Sequence, residues 1–423
     1  MHRVSSAQDL AQDQPGDAIN ANEDLRLGEF VTLMAFLTSL TALAIDAMLP
    51  ALSNIGADLG VASENGPQLV VSVLFIGFAI GQLFYGPISD SYGRKKPIYA
   101  GLAIFLVGSV LSMVAWSFPV MLAGRVLQGF GAAAPRIVVM ALIRDEYDGR
   151  GMARIMSFIM AVFIFVPMLA PALGQAVLFV ASWRAIFGML LVLALVTLTW
   201  FAVRQRETLA PQNRRPFAVL PILRAIIEVC RHRAALGYTI AAGLAFGSFL
   251  GYLNSAQQIL QLQYGLGTLF PLYFAGLALS LGVASMANAH LVMRLGMRSI
   301  SWRALLGMTM FSSAYFLYAW STGGSPPLWT LMTWGPLTFF CLGLVFGNFN
   351  AMAIQSLGHI AGIAAAVIGS LSTFISLVLG LLIGQSYNGT VLPLVGGFAL
   401  LGAAALITMF ITERGNPDAL DPA

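Results

Sequence analysis

The sequence predicts an all-α membrane protein of twelve transmembrane helices, arranged as two pseudo-symmetric six-helix bundles. Three observations lead there. Apolar residues make up 58% of the chain and charged ones only 9%, whereas a soluble domain carries about a quarter charged residues. The apolar residues fall into twelve runs of spanning length, about 20 residues each, and 423 residues hold that number with short turns. The cations, finally, are segregated between the loops of one side and those of the other.

The runs lie near 31–53, 68–88, 98–116, 119–142, 155–178 and 184–203, then 236–257, 271–292, 303–321, 328–354, 362–385 and 391–412. Between the sixth and seventh lies the longest interior polar stretch, rich in arginine (Arg204, Arg206, Arg214, Arg215, Arg224, Arg231, Arg233). The domain plan is therefore a polar tail (1–27), a first bundle (28–203), a linker (204–235), a second bundle (236–412) and a closing tail (413–423). The first tail is acidic: Asp9, Asp13, Asp17, Glu23 and Asp24 outweigh Arg3 and Arg26. It lacks the basic start of a cleavable signal, so the first run is expected to stay as a spanning helix.

Twelve spans place both termini on one side. With that side cytoplasmic, 19 of the 22 Lys and Arg lie there; only Arg184 is outside, and Arg125 and Arg136 fall within a span. Cytoplasmic retention of cations makes this the expected orientation, in a cell membrane. The net charge of +4 is too small and too loop-bound to suggest nucleic acid. Cys230 and Cys341 give neither a disulfide framework nor a metal spacing. No cofactor or metal is expected, and the spans hold no Ser/His/Asp set or phosphate loop that would suggest an enzyme. His290 and His359 sit at helix ends, unsuited to a metal site.

Asp46 is the one acidic residue inside a span. Placing a carboxylate there costs at least ~2.5–3.5 kcal/mol, so it should face a cavity or a partner. At 1.5 Å per residue Asp46 lies about 10 Å and Arg125 about 9 Å below the same face, so the two can pair if their helices adjoin. Such a pair is either structural, or the carboxylate accepts protons, binds a cation, or does both.

Pro167 and Pro171 each remove a backbone donor, and Gly174 permits close contact; together they form either a bent, sealing helix or a helix that merely tolerates proline. Tyr252, Asn254, Gln257 and Gln258 cluster near one end of the seventh run, and Asn348 and Asn350 lie in the tenth. Cavity lining and interhelical hydrogen bonding explain them equally. Arg136 is expected to snorkel. Gly77-x-x-x-Gly81 and Gly380-x-x-x-Gly384 read first as packing surfaces.

The second and third runs are joined by Gly86-Pro87-Ile88-Ser89-Asp90-Ser91-Tyr92-Gly93-Arg94-Lys95-Lys96-Pro97, a polar turn with three consecutive cations. Gly93-Arg94-Lys95 has a faint echo 203 residues on, at Gly296-Met297-Arg298.

The pattern G-x-x-x-D-x-x-G-R-K-K resembles the loop between helices 2 and 3 of the major facilitator superfamily. Asp46-Ala47-Met48-Leu49-Pro50-Ala51-Leu52 looks like the first-helix signature of its bicyclomycin/chloramphenicol-resistance (Bcr/CflA) branch of drug:proton antiporters. Arg125-Val126-Leu127-Gln128-Gly129-Phe130-Gly131-Ala132-Ala133 is similar to that group's fourth-helix motif, where the arginine is implicated in proton transfer. Pro167-Met168-Leu169-Ala170-Pro171-Ala172-Leu173-Gly174 resembles the antiporter motif of helix 5, in its proline-rich version, and His359-Ile360-Ala361-Gly362 precedes helix 11 as in relatives. Ser91 departs from the arginine usual after the loop aspartate. The resemblance runs from about residue 30 to 410.

It implies a proton-coupled exporter of small, largely apolar, drug-like compounds working by alternating access as a monomer. Asp46 and Arg125 would couple protons; Tyr252, Asn254 and Gln257 would touch substrate; Gly86, Asp90, Gly93, Arg94, Arg144, Pro167, Pro171 and Gly174 would gate. Asp90 would latch the halves by pairing with Arg144 and facing the N-terminus of helix 11. The alternatives are a dedicated exporter of one endogenous metabolite and a non-transporting membrane sensor.

Overall fold

The computed structural model describes residues 27–414 except 148 and 215, and omits several side chains between 150 and 164. Most of the two predicted tails (1–26, with Arg3 and Arg26, and 415–423) and Arg215 of the linker lie outside the described residues. Twelve long helices appear in the predicted order: α1 Leu27–Asp46, α2 Leu69–Tyr92, α3 Lys95–Met113, α4 Phe118–Glu146, α5 Gly149–Val180 and α6 Arg184–Arg204. After the linker come α7 Arg233–Ala256, α8 Phe270–Leu295, α9 Met297–Ser321, α10 Leu328–Gln355, α11 Ala361–Gln385 and α12 Leu392–Glu413. Ten of them, with their short extensions, are long and apolar enough to cross a membrane among the described residues. The other two are α5, apolar over Phe165–Val180, and α9, whose first turns carry Arg298 and Arg303.

Several helices run further than their apolar runs, because polar residues extend a helix beyond the hydrocarbon. The expected polar turn is the clearest case. α2 continues through Pro87 to Tyr92 and α3 begins at Lys95, leaving Gly93 and Arg94 as the whole connection. Gly93 makes that reversal at φ +92°, a conformation that suits glycine.

The two halves repeat one packing scheme with an offset of six helices. α2 and α3 pack on α4 as α8 and α9 pack on α10; α1 packs on α5 as α7 does on α11; α3 packs on α6 as α9 does on α12. A Cβ on Gly77 would stand 1.9 Å from Val126 O, and one on Gly380 would stand 2.4 Å from Leu250 Cβ. The glycine pairs therefore set interhelical contact, where lipid provides no hydrophobic drive. The faint echo between halves has the same backbone: Gly296, like Gly93, ends its helix at positive φ.

Hydrogen bonds identify the two ends. Glu29 at the start of α1 meets Arg204 at the end of α6, and Glu413 at the end of α12 meets Arg298 at the start of α9. We call this the termini end. At the far end Asp58 accepts from Trp183 and Arg184, and the backbone N–H of Val391 donates to Gly324 O. Between the halves, α2 lies against α11 and α5 against α8.

Candidate functional site

The first span is interrupted where its carboxylate sits. α1 stops at Asp46, a short turn through Pro50 follows, and helix resumes over Leu52–Asp58. Broken spans free backbone groups beside a site, and they are tolerated at depth only inside protein or beside water. Two neighbouring helices use the break. The Arg125 guanidinium of α4 donates to Ala44 O at 2.9 Å and to Val70 O at 2.8 Å. Gly174 of α5 presses on the other side, where a Cβ would lie 1.9 Å from Ala47 O. Pro171 is buried beside it and Pro167 half-buried, with the helix continuous through both.

The expected Asp46–Arg125 ion pair does not form. Arg125, wholly buried, spends its donors on Val70 O, Ala44 O and Gln128 Oε1, and Gln128 passes the network to Ser109 Oγ at 2.8 Å. Helix geometry explains the divergence. Thr41 faces α4, donating to Ala132 O at 3.2 Å; five residues on, a helix has turned a further ~140°. Asp46 is thus carried toward α7, close enough to Tyr252 for the two to interact electrostatically. It is 4% exposed, and its Oδ1 has no hydrogen-bond partner.

Tyr252 is the polar tip of an aromatic wall. Its ring lies 4.8 Å from that of Phe339 and 5.5 Å from that of Phe274, and its hydroxyl too is buried without a partner. One more orphan, Gln175 Oε1, follows Gly174 on α5; one glutamine in an apolar run has no spacing signal by which it could be singled out. An open groove of about 580 Å³ lies between the halves at the far end, lined in part by Ser53, Glu64, Gln258 and Tyr387.

Asn254 and Gln257 join the halves. Ser72 Oγ donates to Asn254 Oδ1 at 2.6 Å, Gln68 Nε2 to Gln257 Oε1 at 3.2 Å, and Gln257 Nε2 to Ser53 Oγ at 2.8 Å. Nearer the far face, Asn65 Nδ2 donates to Gln385 O and Tyr387 O, each at 2.9 Å, while its Oδ1 accepts from Gln258 Nε2 at 2.6 Å. Gln385 Nε2 returns a bond to Asn65 O at 2.8 Å. Deeper, Gln82 donates to Thr373 and Ser370 to Ala79 O. The seam is closed by amides and hydroxyls from both halves. α7 runs into a π-helical stretch, Gln257–Gln263, which supplies two of these glutamines; such stretches frequently sit at functional sites. Asn348, by contrast, exchanges amide bonds with Asn288 inside its own half, and Asn350 donates to Phe346 O.

At the termini end the expected Asp90–Arg144 pair is replaced by another. Asp90 pairs with Arg94 at 2.5 Å, and Arg94 reaches on to Asp145 at 2.7 Å, while Arg144 is exposed and donates to Met140 O. The neighbouring residue on α4, not Arg144, faces inward, and Arg94 intervenes between the two carboxylates. Burial works against the Arg94 charge, but hydrogen bonds and charges from Asp145 and Asp90 outweigh it and hold its pKa above the ordinary arginine value. Gly86 lies within reach of Ala366 on α11: a Cβ there would be 3.9 Å away.

Glu207, which no motif in the sequence marks, completes this turn. Its carboxylate accepts from the backbone N–H of Arg94 at 2.7 Å and of Lys95 at 3.1 Å, capping the positive end of α3. A Cβ on Gly93 would fall 2.5 Å from Glu207 Oε2. Glu413 holds Arg298 in the second half, and its separation from Glu207, 413 − 207 = 206, nearly matches the 203 of the glycine echo. That spacing was the one available signal for Glu207.

The profile of the Major Facilitator Superfamily matches residues 34–381. An uncharacterised MFS-type transporter, YdgK, of Bacillus subtilis is 29% identical over 83% of this chain and 87% of its own length. A bicyclomycin resistance protein homolog of Haemophilus influenzae is 27% identical over 91% of this chain and 96% of its own. The multidrug resistance protein MdtL of Escherichia coli is 29% identical over 81% and 85%. Among solved structures, the D-xylose-proton symporter superposes with a TM-score of 0.69 at 13% identity, covering 92% of this chain and 97% of its own. The human organic anion transporter MFSD10 gives 0.66 at 18%, covering 92% and 100%. These two likenesses concern the fold alone.

Proposed function

This chain belongs to the major facilitator superfamily, and from that premise we propose that it exports small, largely apolar, drug-like compounds in exchange for protons. The observation that carries the reading is Asp46: a buried carboxylate, its Oδ1 unpartnered, at the break of the first span and within electrostatic reach of Tyr252 in the other half. An ionised group so placed is costly, so proton uptake relieves it, and tilting of the halves exposes it to one side at a time. The bicyclomycin and multidrug resistance relatives support the cargo class.

In this reading the bundles 28–203 and 236–412 are the moving parts and 204–235 their linker, in a protein that works as a monomer in the cell membrane. Both termini are cytoplasmic, as the cation-rich loops of the termini end favour. Asp46 takes a proton from outside and releases it inside. Arg125, tied to the carbonyls of α1 and α2, positions the break. Tyr252 and its aromatic neighbours form the apolar wall against cargo, and Asn254 and Gln257 belong to the seam that must part. Gly86, Asp90, Gly93 and Arg94 order the cytoplasmic turn, with Arg94, held between Asp90 and Asp145, supplying the cation expected of Arg144. Pro167, Pro171 and Gly174 keep α5 against α1.

Energised everted vesicles test the proposal. Lipophilic antibiotics should release protons from vesicles holding the native protein and not from those holding Asp46→Asn. Full coupling in that variant would remove Asp46 from the mechanism.

A further inference from the structure

Apart from the twelve long helices, the linker contains one more, Val219–Arg231. Thirteen residues make about 20 Å of helix, too short to cross a bilayer. It is confined to the termini end, because α6 ends there at Arg204 and α7 begins at Arg233, separated from it by His232 alone.

At 100° per residue its surface divides into three strips roughly 90–140° apart. Ile222, Ala225 and Val229 are buried, where the helix packs against α7 and α11. Val219, Leu220, Leu223 and Ile227 form a second strip, each side chain about half exposed (51%, 54%, 50% and 51%). Arg224, Glu228 and Arg231 form the third. A soluble helix resting on a protein needs one apolar strip; this one has two. The charged strip adjoins the uncovered one, as an interfacial helix requires.

The charges point to the kind of surface. Arg224 and Arg231 are exposed and have no ion-pair partner among the described residues, while Glu228, the single acidic residue of the helix, is engaged by His359 at 2.7 Å. Arg233 follows at once, its guanidinium bonded to Ile411 O. We infer that the linker helix lies in the bilayer surface, with Leu220, Leu223 and Ile227 among the acyl chains, and binds anionic phospholipid head groups through Arg224 and Arg231. Glu228–His359 connects this bilayer contact to the start of α11, which packs against α2 across the halves. The inference rests on the chain spanning a membrane and not on what it carries.

Single cysteines at positions 223, 227 and 231, in the full chain with Cys230→Ser and Cys341→Ala, are spin-labelled in nanodiscs. Labels at 223 and 227 should be relaxed by oxygen and shielded from a water-soluble nickel chelate, and a label at 231 the reverse. Equal access of the chelate to all three would overturn the membrane contact. Shielding of 223 and 227 from both reagents would overturn it as well, by showing a protein surface, such as a second copy, over the strip. A fluorophore at position 227 then reads lipid choice. Brominated phosphatidylglycerol should quench it severalfold more than brominated phosphatidylcholine at equal content. Arg224→Gln/Arg231→Gln should abolish that preference and the double lysine variant should keep it. Equal quenching by the two lipids in the otherwise native chain would overturn the anionic preference.

Discussion

Asn65→Ala tests whether the far-end seam sets which way the protein faces. The substitution removes three bonds between the halves: two donated to Gln385 O and Tyr387 O, and one accepted from Gln258. The bond from the Gln385 side-chain amide to the backbone carbonyl of Asn65 survives. A net hydrogen bond contributes ~0.5–1.5 kcal/mol, and partial exposure of Asn65 argues for the lower half of that range, about 1.5–3 kcal/mol for three. At 1.4 kcal/mol per decade, the population opened at the far end should rise about 10- to 150-fold. Spin labels at Ala62→Cys and Leu262→Cys, on opposite sides of the groove, read this as growth of a long-distance population in electron–electron resonance. Asn388→Ala is the control, because its side chain accepts from Thr390 in its own half and, among the described residues, makes no bond across the seam. An unchanged distance distribution in Asn65→Ala, or an equal change in Asn388→Ala, would refute the assignment of the closed state to this seam.

Asp46→Asn should leave thermal stability in detergent unchanged or slightly raised, since no ion pair or hydrogen bond of Asp46 Oδ1 is lost and a buried charge disappears. Arg125→Ala should lower it markedly, because hydrogen bonds from a charged donor contribute ~1.5–3 kcal/mol each and two carbonyl bonds and one amide bond go with it; equal melting temperatures for the two variants would contradict the geometry. Gly174→Val should push α5 off Ala47 O and abolish export, at a cost of ~1–3 kcal/mol from overpacking, checked by drug accumulation in cells and by melting of the purified protein. Gly93→Ala should destabilise by ~1–3 kcal/mol through backbone strain and contact with Glu207, and combination with Glu207→Ala should recover part of that loss in the same melting assay.

Much of the architecture was legible because membrane helices announce themselves locally: each run is apolar for the length that the bilayer demands, and the loops carry their cations to one side. The position of Asp46 was legible for the same reason, as one carboxylate among apolar residues. Its direction was not. Whether a side chain on α1 faces α4 or α7 depends on a few tens of degrees of rotation, and a depth estimate contains no angle. Asp145 was missed as the partner of Arg94 because its neighbour Arg144 offered the obvious opposite charge for Asp90, and adjacent residues on a helix point about 100° apart. The seam was invisible for another reason. Asn65 and Gln385 are 320 residues apart, and isolated amides carry neither charge nor periodicity.

The chemical difference between the far-end seam and the charged turn at the termini end has an electrolyte consequence. Neutral dipoles in contact scarcely feel dissolved ions, so the junction of Asn65, Gln257 and Gln258 should hold alike in dilute and in concentrated brine. The Asp90–Arg94–Asp145 cluster, with its outer carboxylate half in water, is subject to Debye screening. Osmotic stress that concentrates salt around that cluster would loosen the α2–α3 turn within the first half and leave the junction between the halves shut.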